Sequence, residues 1–189
     1  MFIYKGERKT KAKRAAFMGL LFALALTLSW FESLLPAVPG LPPGIKIGLS
    51  NIITMFCLFI AGIPYAVLLA VLKALFAFII RGAISGILSL SGGLVSVVFM
   101  TILLLVLKDS PSTGFISICG ACMHNAAQLS AASFIVGSGS VFYYLPILLI
   151  SGVIMGVVTG LIYRNVNPYL ARIPFMTYNE KVERKQKNR

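Results

Sequence analysis

Apolar residues in this chain come in long runs, separated by short clusters of glycine, proline or charge. About 20 apolar residues in a helix cross roughly 30 Å of hydrocarbon at 1.5 Å per residue. Six runs are predicted to do so: Ala15–Leu34, Ile47–Ala61, Pro64–Ile80, Gly93–Leu107, Phe115–Val136 and Phe142–Tyr163. The second and third lie so close around Gly62 that one long broken helix is the competing reading. Between the first and second stands "PAVPGLPPGIKIGLSN", Pro36 to Asn51, whose prolines and glycines stop a helix. This stretch predicts an ordered external loop able to cover a pocket.

Charge sets the orientation. Lys5, Arg8, Lys9, Lys11, Lys13 and Arg14 precede the first run, and Lys181, Arg184, Lys185, Lys187 and Arg189 follow the last. Basic segments stay on the cytoplasmic side, so two basic tails require an even number of spans. The expected molecule is an all-α integral membrane protein of the cell membrane, a bundle of six transmembrane helices with both termini cytoplasmic. Residues 1–14 and 164–189 are the basic tails, and 15–163 the membrane domain. All of the 17 basic residues except Lys46, Lys73 and Arg81 then lie inside.

Composition agrees: 58% of the 189 residues are hydrophobic and 12% charged, against about 25% charged in soluble domains. Mean hydropathy is +0.92. The net charge of +12 is accounted for by the positive-inside rule and attraction to anionic lipid, with no need for a nucleic-acid partner. The first run is longer than the core of a signal peptide and no small-residue cleavage site follows it, so it reads as a retained helix.

A polar side chain within such a run is costly, about 2.5 to 3.5 kcal/mol for a charge at mid-span, and therefore informative. Glu32, Lys46, Asn51 and Arg81 fall at outer ends of runs, Lys73 near the middle of the third, and His124, Asn125 and Gln128 in the fifth. The inner halves hold little beyond Thr54, Ser117 and Thr159. This one-sidedness predicts a pocket open to the outside and a dry cytoplasmic half. Three cations against Glu32 predict an anionic or strongly hydrogen-bond-accepting ligand, helped by the positive dipole end of the second helix beside Lys46. Snorkelling of Lys46 and Arg81 to headgroups, internal pairing of Glu32 and simple packing of His124 are the competing uses.

Two ladders of small residues recur every four positions, Ala15, Gly19 and Ala23 in the first run and Gly152, Gly156 and Gly160 in the sixth. Such spacing lets helices approach closely. Both are assigned as partner-packing faces, with packing inside the chain the competing use for the sixth.

Catalytic and cofactor chemistry find little support. "CGACMH" lacks the histidine directly after the second cysteine that haem attachment needs, and on a helix His124 points roughly 200° away from Cys122. Neither a metal nor another cofactor is expected. There is no phosphate-binding P-loop sequence, and the five acidic residues form no aspartate-rich magnesium motif. The chain is expected not to be an enzyme.

Three stretches, "PGIKIGLSN" (Pro43–Asn51), "SGILSLSGGLVSVVFM" (Ser85–Met100) and "GACMHNAAQL" (Gly120–Leu129), resemble the bacterial Gx transporter family, also called heptaprenyl diphosphate synthase component I. Ile47 and Ser50 depart mildly from its usual pattern. That family is similar to the S components of energy-coupling factor transporters. The resemblance implies a six-helix substrate-binding subunit, a membrane T component docking on the Ala15–Gly19–Ala23 face, and two cytosolic ATPases. Lys46, Lys73 and Arg81 would bind acidic groups of a small anionic or amphiphilic solute, while Asn51, His124, Asn125 and Gln128 orient it. A stand-alone secondary transporter titrating Glu32, Lys73 or His124, and a non-catalytic membrane subunit of isoprenoid, quinone or electron-transfer metabolism, are the alternatives.

Overall fold

The computed structural model describes residues 3–34, 48–107 and 112–170. Within them the chain is helical throughout, with no strand. The helices are α1 (Ile3–Leu34), α2 (Asn51–Ala61), α3 (Ile63–Arg81), α4 (Ala83–Val106), α5 (Thr113–Val136) and α6 (Leu145–Leu170), and a 3-10 segment, Gly139–Tyr144, leads into α6. Four segments are long and apolar enough to cross a membrane: Ala15–Glu32, Ile63–Arg81, Ala83–Val106 and Gly139–Tyr169. Helix α5, at 24 residues about 36 Å long, has the length but a more polar sequence.

Several expected boundaries move, each for a physical reason. Helix α2 starts at Asn51, because Gly48 holds φ at 101°, in the left-handed region, and Leu49 and Ser50 form a turn. Its 11 residues measure about 16 Å, roughly half the hydrocarbon thickness. The α2 and α3 helices are separate, joined by Gly62 at φ 94°, and Pro64 sits in the first turn of α3, where no amide is required. Helix α4 begins ten residues before the expected Gly93. The glycine- and serine-rich stretch Ala83–Gly92 reads as a weak helix in water, yet in the bundle its glycines serve close contact, Gly86 on Phe78 and Gly92 on His124 and Gln128. Helix α6 starts later than Phe142 and continues past Tyr163 through Pro168. The segment 1–14, expected as a tail, is helical from Ile3 onward. Lys46, Ile47, Lys108 and the basic residues after Leu170 lie outside the described residues.

Helices α3, α4, α5 and α6 pack in chain order, each on the next, and α2 is inserted against all four. Helix α1 rests against α2 and α3 by a much thinner contact. The interior holds two apolar clusters. The larger, around Met55, Phe59, Leu69, Val97, Met100 and Ile116, fills the end of the bundle where α2 finishes and α3 starts. Tyr163 closes it edge-on against Phe59, with ring centroids 4.9 Å apart. The smaller, around Leu88, Leu129, Val141 and Leu148, lies toward the other end. Outward-facing positions carry large apolar side chains such as Ile79, Phe134 and Ile150, the surface that lipid requires.

The two small-residue ladders have different fates. Gly152 and Gly160 face α5 so closely that an added Cβ would come within 3.2 Å of the Cys122 Cα and 2.7 Å of the Gly114 Cα, and Gly156 lies tighter still against Ile118. The assignment of Gly152, Gly156 and Gly160 to a partner is therefore corrected, since backbone contact with α5 uses that face within the chain. In α1, Ala15, Gly19 and Ala23 are exposed, and nothing lies within 4 Å of a Cβ built at Gly19.

Candidate functional site

The polar residues gather where α2 begins. Because α2 is a half-length helix, its first turn lies inside the bundle, beside Ala121, His124 and Asn125 at the middle of α5 and Met155 and Thr159 of α6. A helix start leaves backbone N–H groups without intrahelical acceptors, and Ser50 supplies no side-chain cap. Glu32, from the far end of α1, takes that part: its Oε1 accepts from the amides of Gly48 and of Leu49, the latter at 3.3 Å. Of the expected pocket residues, Glu32 is thus engaged with backbone of its own chain.

Lys73 of α3 is 2% exposed, and its Nζ donates to Thr54 Oγ1 at 3.3 Å. It lies within electrostatic reach of Glu32 and of the His124 ring. A lysine buried at this depth is costly unless a charge and hydrogen bonds compensate it, and Glu32 and Thr54 supply both. Arg81 is half-buried at the end of α3 and donates from Nη2 to Ser29 Oγ at 3.4 Å, linking α3 to α1. Glu32 also feels the Arg81 charge.

On α5 the i, i+4 pair closes as expected from helical spacing: Gln128 Nε2 donates to His124 Nε2 at 3.0 Å. With the Gln128 amide as donor, the ring proton sits on Nδ1, which faces Gly92 of α4. Asn125 turns elsewhere, donating from Nδ2 to Leu148 O at 2.6 Å and to Ser151 Oγ at 3.2 Å, so that it ties α5 to α6. Asn51 differs from all of these. It is 2% exposed, and neither its Nδ2 nor its Oδ1 has a partner among the described residues. An orphaned buried polar group costs about 1 to 3 kcal/mol, so two on one side chain need a use.

Asn51, His124, Asn125 and Gly48 line one crevice with Met55 and Thr159, and its walls approach to less than the width of a water molecule. The cluster lies between the two apolar cores, and the end of the bundle beyond α2 is filled mainly by apolar side chains. Thr54 and Thr159 were expected among the few polar groups of that dry half; Thr54 instead pairs with Lys73, and Thr159 lines the crevice. Three contributors escape sequence reasoning: Ser29, the amides at Gly48 and Leu49, and Gly92. A Cβ at Gly92 would come within 2.8 Å of His124 Cε1 and 2.8 Å of Gln128 Cγ. The glycine pair Gly92–Gly93 inside an apolar helix was the available signal. Cys122 and His124 point to different neighbours, as their spacing implied, Cys122 Sγ meeting Leu149 O.

Fold and site together define a helical membrane protein whose long apolar helices surround a half-length helix and a buried polar cluster at its start. Residues 21–166 match the family model of heptaprenyl diphosphate synthase component I, and the chain belongs to that family. The match runs from α1 to the second half of α6 and includes every residue of the cluster. No curated protein and no solved structure matches the chain.

Proposed function

We propose that this protein is the membrane-embedded substrate-binding subunit of an energy-coupling factor type transporter, capturing a small anionic or amphiphilic solute from outside the cell membrane. The observation that carries the reading is Asn51: buried, unpartnered on both heteroatoms, at the start of a half-helix beside Lys73 and His124. Half-helix N-termini at mid-membrane depth are a recurring way for transporters to meet anionic groups. In this reading Lys73 and Arg81, with Lys46, attract the acidic group, and Asn51, His124 and Gln128 orient the rest, while Asn125 holds α5 and α6 in register.

The chain crosses the membrane six times, with α2 belonging to one of the crossings, and both termini are cytoplasmic. The protein performs no chemistry of its own. A membrane T component docks on the exposed Ala15–Gly19–Ala23 face of α1, and cytosolic ATPases drive release. The prenyl diphosphate in the family's description fits as a class of ligand, an amphiphile with an anionic head, and not as a reaction.

Co-purification from native membranes tests the partnership: the tagged chain is expected to retain ATPase subunits and to take up solute in vesicles only with ATP inside. The buried Glu32 and Lys73 favour one competing reading, a secondary transporter that titrates this pair. Uptake driven by a proton gradient in ATP-free vesicles would establish it and remove the first.

A further inference from the structure

Resting on that reading of an anion-binding subunit, the position of Glu32 defines the acid-group subsite itself. Two consecutive amides, of Gly48 and Leu49, converge on one carboxylate oxygen at the turn into α2. Adjacent backbone amides at a helix start are how proteins hold free carboxylates and phosphates. Lys73 and Arg81 both act on the same carboxylate, so two cations of α3 face one internal anion. Beside these amides Asn51 offers a donor and an acceptor that nothing among the described residues uses. The crevice it lines is shut in this arrangement.

We infer that the Glu32 carboxylate holds the place of the solute's own acid group: the Gly48 and Leu49 amides with Lys73 form a carboxylate or phosphate subsite, and an entering anion exchanges with Glu32. The exchange lets the crevice open toward Asn51 and His124, which take the remainder of the solute. It also loosens the outer end of α1. That helix contacts little besides α2 and α3, and the Arg81–Ser29 bond is a further polar tie between α1 and α3 beside Glu32. Capture of an anion and release of α1 are then one event.

The chain supplies its own reporter, since its single tryptophan, Trp30, stands two residues before Glu32 on α1. The full-length protein in lipid nanodiscs is titrated with sodium acetate and, separately, with inorganic phosphate at constant ionic strength, while Trp30 emission is followed. Wild type is expected to respond saturably, and Glu32→Gln to reach half-saturation at a concentration lower by about tenfold, because a site no longer filled from within loses its competition penalty. Glu32→Asp, which keeps the charge but falls one methylene short of the amides, is expected between the two and decides the matter alone if Glu32→Gln does not fold. Lys73→Met is expected to abolish the response. The acetate and phosphate arms separate a carboxylate solute from a phosphorylated one.

Saturable binding by wild type that Lys73→Met removes, but that Glu32→Gln or Glu32→Asp leaves equal or weakens, overturns the exchange and leaves the transport reading standing. An absence of saturable response to either anion, in wild type and in a folded Glu32→Gln, overturns both.

Discussion

Two asparagines, Asn51 on α2 and Asn125 on α5, illustrate what single residues do here. Asn125 spends its amide on Leu148 O and Ser151 Oγ, and Asn51 spends nothing. Replacing Asn51 by leucine, of similar size, removes two unsatisfied groups and is expected to raise the unfolding temperature, the equivalent of about 1 to 3 kcal/mol, while solute binding is lost. Asn125→Leu is expected to lower the unfolding temperature. Thermal unfolding of the two variants in one detergent checks both, and a destabilised Asn51→Leu would mean that this side chain has a structural partner after all. At Gly92 a methyl group meets His124 and Gln128 at 2.8 Å. Gly92→Ala is therefore expected to cost about 1 to 3 kcal/mol and to weaken binding, whereas Gly93→Ala, 3.2 Å from Ala70 Cβ, is milder. Most site residues were legible in the sequence because a lysine, histidine or amide in hydrocarbon is too costly to be incidental. Ser29 and Thr54 were not, since a hydroxyl in an apolar helix ordinarily bonds its own backbone, as Thr27, Thr101 and Ser130 do here. Backbone amides carry no sequence signature at all.

At the scale of elements, glycine decides which faces meet. The α6 ladder lies on the α5 backbone, and the α1 ladder faces outward. Gly156→Ala puts a methyl group against the Ile118 backbone, where no side-chain rotation relieves it, and is expected to destabilise the isolated chain by about 1 to 3 kcal/mol. Gly19→Ala meets nothing within 4 Å and is expected to leave stability within about 0.5 kcal/mol of wild type. On the proposed docking face of α1, it should instead reduce recovery of the ATPase complex. Thermal unfolding paired with pull-down yield reads both effects; a Gly19→Ala that unfolds early would return α1 to the interior. The sequence pattern found the ladders but not their facing, because period four marks a helix face and not its neighbour. It likewise took α2 for a full span, since apolar length was counted across Gly48, whose positive φ delays the helix start to Asn51, four residues after the expected Ile47. The start of α4 was hidden by glycine and serine, which weaken helices in water and favour close packing in lipid.

For the whole molecule, orientation decides what the cluster faces, and charge decides orientation. Ser112 is exposed at the start of α5, close in sequence to Lys108, and Ser140 is exposed in the 3-10 segment beyond the other end of the same helix. The 24 residues between those ends span about 36 Å, more than the hydrocarbon thickness, so the proposed six-span arrangement puts the two serines on opposite sides of the membrane. In the proposed orientation, with the basic tails cytoplasmic, Ser112 faces the cytoplasm. In a background with Cys57, Cys119 and Cys122 replaced, an impermeant maleimide applied to intact cells is expected to label Ser140→Cys, and Ser112→Cys only after permeabilisation. The same result fixes the cluster, because α3 runs from the Ser112 end, where Tyr163 and Phe59 seal the bundle, toward Arg81 at the other. With Ser140 outside, the Glu32 and Arg81 end is the one a solute reaches first, and the aromatic plug stands between it and the cytosol. Inverted labelling would turn the same cluster toward the cytosol, and capture from outside would then have to cross the apolar core before meeting a single charge.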